Sequence, residues 1–268
     1  MVTIKDLDFG VKKEQLRFDS AGESFDVPNR KVVLREDTME PLGIVSDNYK
    51  IVPHNRVVEA FDEMPNLKQD RLSLCKNGAI MFADYTIQEG NETLLAEVRK
   101  GDTVSYQVRA FNSYNMEFGV GFEIRALRLV CTNGLTVPRG VARLSFKHVE
   151  GLNMNTLTEI IFQKMEGAKE VTQIWREWTE KAAKEDKVKE FCESLDTLGE
   201  KTRNKLYEAS LRENDKMGMW GVFNVMTAYT THETKSRLAE NRVLAQRNKE
   251  TEILNRFYKF NWGFAKQG

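Results

Sequence analysis

Thr103-Val104-Ser105-Tyr106-Gln107-Val108-Arg109-Ala110 and, past Asn112-Ser113-Tyr114-Asn115, Phe118-Gly119-Val120-Gly121-Phe122-Glu123-Ile124-Arg125 set the fold class. Apolar residues recur at every second position: Val104, Tyr106, Val108 and Ala110, then Phe118, Val120, Phe122 and Ile124. That period of two predicts an antiparallel hairpin spanning Thr103 to Val130, because successive side chains of a strand point to opposite faces. The other face carries Ser105, Gln107, Arg109, Glu123 and Arg125 and reads as wet and cationic. Gly119 and Gly121 fall on that wet side, where a missing side chain permits curvature or the close approach of another backbone.

Toward the N-terminus the same period continues. Strands are expected at Lys31 to Arg35, Gly43 to Val52, Arg71 to Cys75 and Ala79 to Ile87, the last two joined by the hairpin signal Asn77-Gly78. Between them Val57, Val58, Ala60, Phe61 and Met64 form one stripe of a short helix, Arg56 to Met64, opened by Pro53-His54-Asn55. Residues 1–30 are polar, are broken by Gly22 and Pro28, and read as an arm or a poorly packed edge.

Toward the C-terminus the period changes to 3.6 after about residue 153. Leu157, Ile160, Ile161, Met165, Val171, Ile174, Trp175 and Trp178 define a long amphipathic helix from about Asn153 to Lys184, about 45 Å at the standard rise. Gly199 and Gly218 punctuate shorter helices at Val188 to Leu198, Lys201 to Glu213 and Met219 to His232. A final helix is unusually polar through Arg237 to Glu252, the composition of a solvated or partner-bound surface. The expected architecture is therefore α+β: an arm over 1–30, a curved antiparallel β-rich part with one packed helix over 31–150, and a helical part with long amphipathic helices over 151–268.

Charge is balanced overall, 40 basic against 40 acidic residues, so the whole molecule exerts no net pull on nucleic acid or membrane. The balance is uneven along the chain: residues 94–147 carry 8 basic and 4 acidic groups. Three widely spaced cysteines, Cys75, Cys131 and Cys192, fit reduced thiols in a cytoplasm. No leader-like start and no apolar run long enough for a bilayer is present, so a soluble cytoplasmic protein is expected.

Leu42-Gly43-Ile44-Val45-Ser46-Asp47-Asn48-Tyr49-Lys50-Ile51-Val52 with the helix through Phe61 is one of three motifs that belong together. The others are Arg128-Leu129-Val130-Cys131-Thr132-Asn133-Gly134-Leu135 followed by His148, and Trp220-Gly221-Val222-Phe223-Asn224-Val225-Met226-Thr227-Ala228-Tyr229-Thr230-Thr231-His232. In that order they resemble the phage- and plasmid-related proteins of domain of unknown function nine-hundred-thirty-two, over about residues 30 to 262. The resemblance implies a mobile-element origin and no established activity. At the central turn, where that family tends to have Asn-Ser-His-Asp-Gly, this chain has Asn112-Ser113-Tyr114-Asn115-Met116, which removes any acid–base role for a turn histidine and aspartate.

Catalytic pairings are thin. Asp84, Glu97 and Arg99-Lys100 loosely imitate a nuclease layout, with Arg99 where a lysine is wanted. Cys131 with His148 is a nucleophile–base pairing of which packing is the simpler account. His54 reads as an exposed residue or helix cap, and the histidines are too isolated for a metal. No phosphate-cradling Gly-x-x-x-x-Gly-Lys-Ser/Thr loop and no Gly-x-Gly-x-x-Gly after a strand occurs, so no cofactor is expected.

Arg99, Lys100, Arg109, Arg125, Arg128, Arg139, Arg143 and Lys147, with Tyr114 as a stacking ring, form the candidate single-stranded DNA surface of a non-enzymatic, oligomeric DNA-metabolism protein. The alternative is an interaction protein that binds a host defence or replication factor, anchored by Trp175, Trp178, Trp220 and Trp262. A metal-dependent nuclease is the third reading.

Overall fold

The computed structural model describes residues 2–90, 92–130, 133–136, 143–146 and 154–264. It is an α+β protein with two antiparallel sheets followed by long helices. β1 (Val11–Ser20) and β2 (Glu23–Arg35) form a ribbon turned at Ala21-Gly22, both with positive φ (54° and 83°), as a tight two-residue hairpin turn requires. β3 (Pro41–Ser46) pairs with β2 and completes a three-stranded sheet. Residues 11–30, part of the segment expected as an arm or a poorly packed edge, lie in this ribbon.

α1 (His54–Asp62) leads to β4 (Leu67–Cys75) and β5 (Ile80–Glu89), joined through Lys76, Asn77 and Gly78 at φ 52°, 56° and 92°. β6 (Glu92–Thr93) and β7 (Leu95–Arg99) precede the central pair β8 (Asp102–Ser113) and β9 (Val120–Arg128). β10 (Asn133–Thr136) and β11 (Arg143–Phe146) both pair with β9. The large sheet runs β10-β9-β8-β5-β4, with β7 on β8 and β6 on β5.

Gly121 explains the crossing of β11. A Cβ there would lie 2.2 Å from the Leu144 carbonyl oxygen, so the backbone that approaches this glycine is the chain's own.

The predicted dry face is dry. Met81, Ala83 and Tyr85 of β5, Val104, Tyr106, Val108 and Ala110 of β8, and Phe122, Ile124 and Ala126 of β9 are all buried. Val57, Val58 and Phe61 of α1 cover it together with Ile161, Met165 and Trp175 of α2 (Met154–Thr179). Each such large side chain contributes roughly 1.5–3 kcal/mol relative to an exposed position.

α3 (Glu185–Glu193), α4 (Glu200–Ala228) and α5 (Arg242–Lys259) follow. α4 breaks at Gly218, φ 59° and ψ −151°, between the two segments the sequence separates. Trp175, Trp220 and Trp262 are buried and Trp178 half-buried, among Phe191, Phe223 and Phe257. Three of the four indoles are core and Trp178 packs against it, which removes the buried three as anchors for a partner. No helix among the described residues is long and apolar enough to cross a membrane.

Candidate functional site

The expected wet face is not wet. α5 lies across it, and the polar helix and the polar sheet face cover each other. Cross-strand register sets Arg71 of β4, Asp84 of β5, Arg109 of β8, Glu123 of β9 and Arg143 of β11 in a single row. Signs alternate across five strands, and directly opposed unlike charges are the favourable cross-strand arrangement. Arg109 donates from Nε and Nη2 to Asp84 at 2.5 and 2.9 Å. From α5, Arg247 donates to both Glu123 oxygens at 3.2 and 2.9 Å, and Glu250 accepts two 2.9 Å bonds from Arg125. Arg247 also sits over Phe118 at 4.5 Å and near Phe111 and Phe82 at 5.5 and 5.8 Å.

Burial alone would push the Asp84 carboxyl up, but the charge and hydrogen bonds of Arg109, with Arg125 and Arg71 behind it, hold it below the usual carboxylate range. The same contest at Glu123, burial against Arg247, Arg109 and Arg125, also ends below the ordinary value. These carboxylates are therefore ionised and committed to their arginines at neutral pH.

Arg128 is fixed elsewhere. It donates to both oxygens of Asp102 at 2.6 Å, and Trp220 Nε1 donates to the same carboxylate at 2.8 Å. Tyr114 is buried, its ring 4.0 Å from that of His54, and its hydroxyl accepts from the His54 backbone N–H at 2.9 Å.

His54 is fully buried rather than exposed, a correction to the sequence reading. Asn112 Nδ2 lies 2.9 Å from Nδ1 and also donates to the Val52 carbonyl, while Nε2 lies 2.9 Å from the Gly78 carbonyl. Asn112 donates and the carbonyl accepts, so the ring is the neutral Nε2–H tautomer.

Of the nine predicted nucleic-acid contacts, Arg109, Tyr114, Arg125 and Arg128 are thus buried and bonded within the protein. Arg143 is half-buried, its guanidinium 4.9 Å from the Phe111 ring. Arg139 and Lys147 lie outside the described residues. Arg99 and Lys100 are exposed at the β7–β8 turn. Two other exposed cations stand near them: Arg99 donates to the Lys216 carbonyl at 3.4 Å, and Arg176 donates to the Glu97 carbonyl at 2.9 Å.

The catalytic pairings fare no better. Asp84 pairs β8 at Arg109 and Glu97 pairs it at Thr103, six residues along one strand, roughly 20 Å apart. Cys131 and His148 lie outside the described residues. Burial raises the Cys75 thiol, and pushes the Cys192 thiol up to about 12, so neither is a thiolate at neutral pH. Among the described residues no group of three or more His, Cys, Asp or Glu side chains is placed to hold a metal.

A different surface emerges on the ribbon. Phe18 and Phe25 face each other across it, rings stacked at 5.4 Å, and remain 54 % and 42 % exposed. Ile44 on β3 is 55 % exposed. Between Gln15 and Arg17 the register shifts where Val27-Pro28-Asn29-Arg30 bulge from β2, and Gln15 Nε2 bridges the gap to the Val27 carbonyl at 2.9 Å. The signal was present in the sequence: Leu16 and Phe18, Phe25 and Val27 flank Ala21-Gly22 at alternate positions. Dense charge and Pro28 conceal it.

The sheet thus carries a charge ladder, buried at its centre, that a polar helix locks, and a ribbon with exposed aromatic rings. The family model described as Domain of unknown function (DUF932) matches residues 41–253, and the chain belongs to that family. No curated protein and no solved structure matches it.

Proposed function

We propose that this is an interaction protein that binds another protein through the outward face of the β1–β2–β3 sheet. The observation that carries the reading is the stacked, exposed pair Phe18–Phe25. An isolated two-stranded ribbon is marginal in water and needs a covered apolar face for stability. Residues 16–30 include no buried side chain, so among the described residues nothing covers this face. The tip also favours a protein over a polyanion: residues 16–30 carry Arg17 and Arg30 against Asp19, Glu23 and Asp26. A cytoplasmic phage or plasmid setting belongs to the same proposal.

A photo-crosslinking amino acid at Ser20 tests it in cells. A discrete, nuclease-resistant protein adduct that disappears in F18S/F25S is expected. An adduct pattern unchanged by the double substitution refutes the reading.

A second reading has its own observation, the four exposed cations Arg99, Lys100, Arg176 and Lys216 around the β7–β8 turn. Single-stranded DNA held there would bind through phosphates and release steeply with salt. R99A/K100A should abolish a low-salt gel shift; no shift in the unaltered protein removes this reading.

A further inference from the structure

We infer that the occupant of the outward sheet face is a second copy of this chain, packed face to face about a twofold axis. The inference rests on the proposed function and names its partner.

Register defines the face. Lys12 pairs with Leu34 and Glu14 with Val32, while Val32 also pairs with Ile44. Val33 and Val45 are fully buried, which assigns their alternates Val32, Leu34 and Ile44 to the outer side. β1 stays extended past the register shift, so alternation continues the outer row Lys12, Glu14, Leu16 and Phe18, with Phe25 opposite Phe18. Six apolar side chains thus share one outer surface: Leu16, Phe18, Phe25, Val32, Leu34 and Ile44.

Three physical features favour self-pairing. Shape is the first: a twisted sheet face is best complemented by another of the same twist, about 10 Å away, with interdigitated side chains. A twofold axis supplies that complement automatically.

Charge is the second. Lys12 and Glu14, 2.6 Å apart, lie in the outer row, and Glu23 follows at the tip. A face carrying both signs sets cation against anion when apposed to its own copy. A strongly one-signed face would repel it.

Size is the third. Ten residues at about 3.3 Å by three strands about 4.8 Å apart give a footprint of roughly 400 Å² per copy. About 800 Å² in all is half of a standard interface, which fits a weak dimer that forms and dissociates with concentration.

Sedimentation velocity of the full chain over a concentration series from low to high micromolar tests the inference, with binding of the dye 8-anilinonaphthalene-1-sulfonate measured in parallel. The expected result is a sedimentation coefficient that climbs from monomer toward dimer, and a F18S/F25S variant that remains monomeric throughout with an unchanged circular dichroism spectrum. I44K should give the same loss from a different strand.

A dimer that persists in both variants overturns the inference, because the interface then lies elsewhere. A chain monomeric at every concentration also overturns it. In that case, dye binding that F18S/F25S abolishes leaves the face open for another protein, whereas no dye binding removes the interaction-surface reading as well.

Discussion

Replacing Arg247 with methionine probes the charge ladder most directly. Arg247 is buried, makes two bonds to Glu123 and lies over three phenylalanine rings. Methionine keeps the volume and the contact with the rings, so the loss is mainly the charge. Removing one partner of a buried pair typically costs about 3–5 kcal/mol because the other charge is stranded. Glu123 keeps Arg109 opposite it and Arg125 nearby, which places the expected loss at the low end, about 3 kcal/mol. With a urea slope of about 2–3 kcal/mol/M, the unfolding midpoint should fall by about 1–1.5 M. The signature is in the pH dependence. In the unaltered protein the Glu123 carboxyl titrates below its ordinary value of 4.5, so its contribution is complete above that value and disappears as pH falls through the lower folded-state one. Without Arg247 the same carboxyl is destabilised by burial, and protonation relieves it. The gap between the two proteins should therefore narrow as the solution is acidified, and E123Q/R247M should recover most of the loss at neutral pH. Urea titrations at neutral and acid pH measure all three. A loss under about 1 kcal/mol at neutral pH, or a gap that widens in acid, would refute the account of the ladder as a stabilised ion-pair network.

The unaltered protein itself should lose stability on acidification. Asp84 and Glu123 both titrate below their ordinary values, so their stabilisation is present above pH 4 to 5 and is lost as pH falls through the folded values; a urea midpoint flat across that window contradicts it. Gly121→Ala should cost about 1–3 kcal/mol by driving β11 off β9, since the added carbon meets the backbone of Leu144 and Ser145 rather than a flexible side-chain end. A melting temperature unchanged by this substitution would show that β11 does not hold its position against Gly121.

Local structure was legible from local sequence. Period-two alternation at Val104–Ala110 and Val120–Ile124, Asn77-Gly78 as a turn and Gly218 as a helix break all depend on neighbours in the chain, and all appear in the structure. What faces what was not legible, because it depends on residues far apart. Arg109 and Arg125 lie on a face that reads as wet because their counter-charges are not beside them in sequence: Glu250 arrives on α5, the last helix of the chain. The burial of His54 is hidden for the same reason, since Asn112 and the Gly78 carbonyl converge on it from β8 and from the β4–β5 turn. The ribbon is a different case. Its alternation lies within a few residues of Ala21-Gly22, but Arg17, Asp19, Glu23 and Asp26 between the apolar positions give the segment the composition of a loop.

The ladder also bears on where recognition can occur. Buried ion pairs contribute little net stability compared with an apolar interface of equal size, yet each removed partner is expensive. Such an interface specifies placement: a one-residue slip of α5 would set Arg247 away from Glu123 and Glu250 away from Arg125 at once. Val243 and Leu244 at one end of α5 and Ile253, Leu254 and Phe257 at the other are buried, so apolar contacts hold the helix down while the charges between them fix its register. Arg109, Arg125 and Arg247 are withdrawn from solvent, whereas Arg71 at the end of the row is exposed, and a phosphate would have to displace a carboxylate already making two bonds to reach any of the three. Arg71 to Glu250 of this lock fall within residues 41–253, the segment the family model matches, while Phe18 and Phe25 precede it. The proposed association face therefore begins ahead of that segment and reaches into it only at Ile44, and substitutions at Phe18 and Phe25 should alter association while leaving the charge-locked scaffold intact.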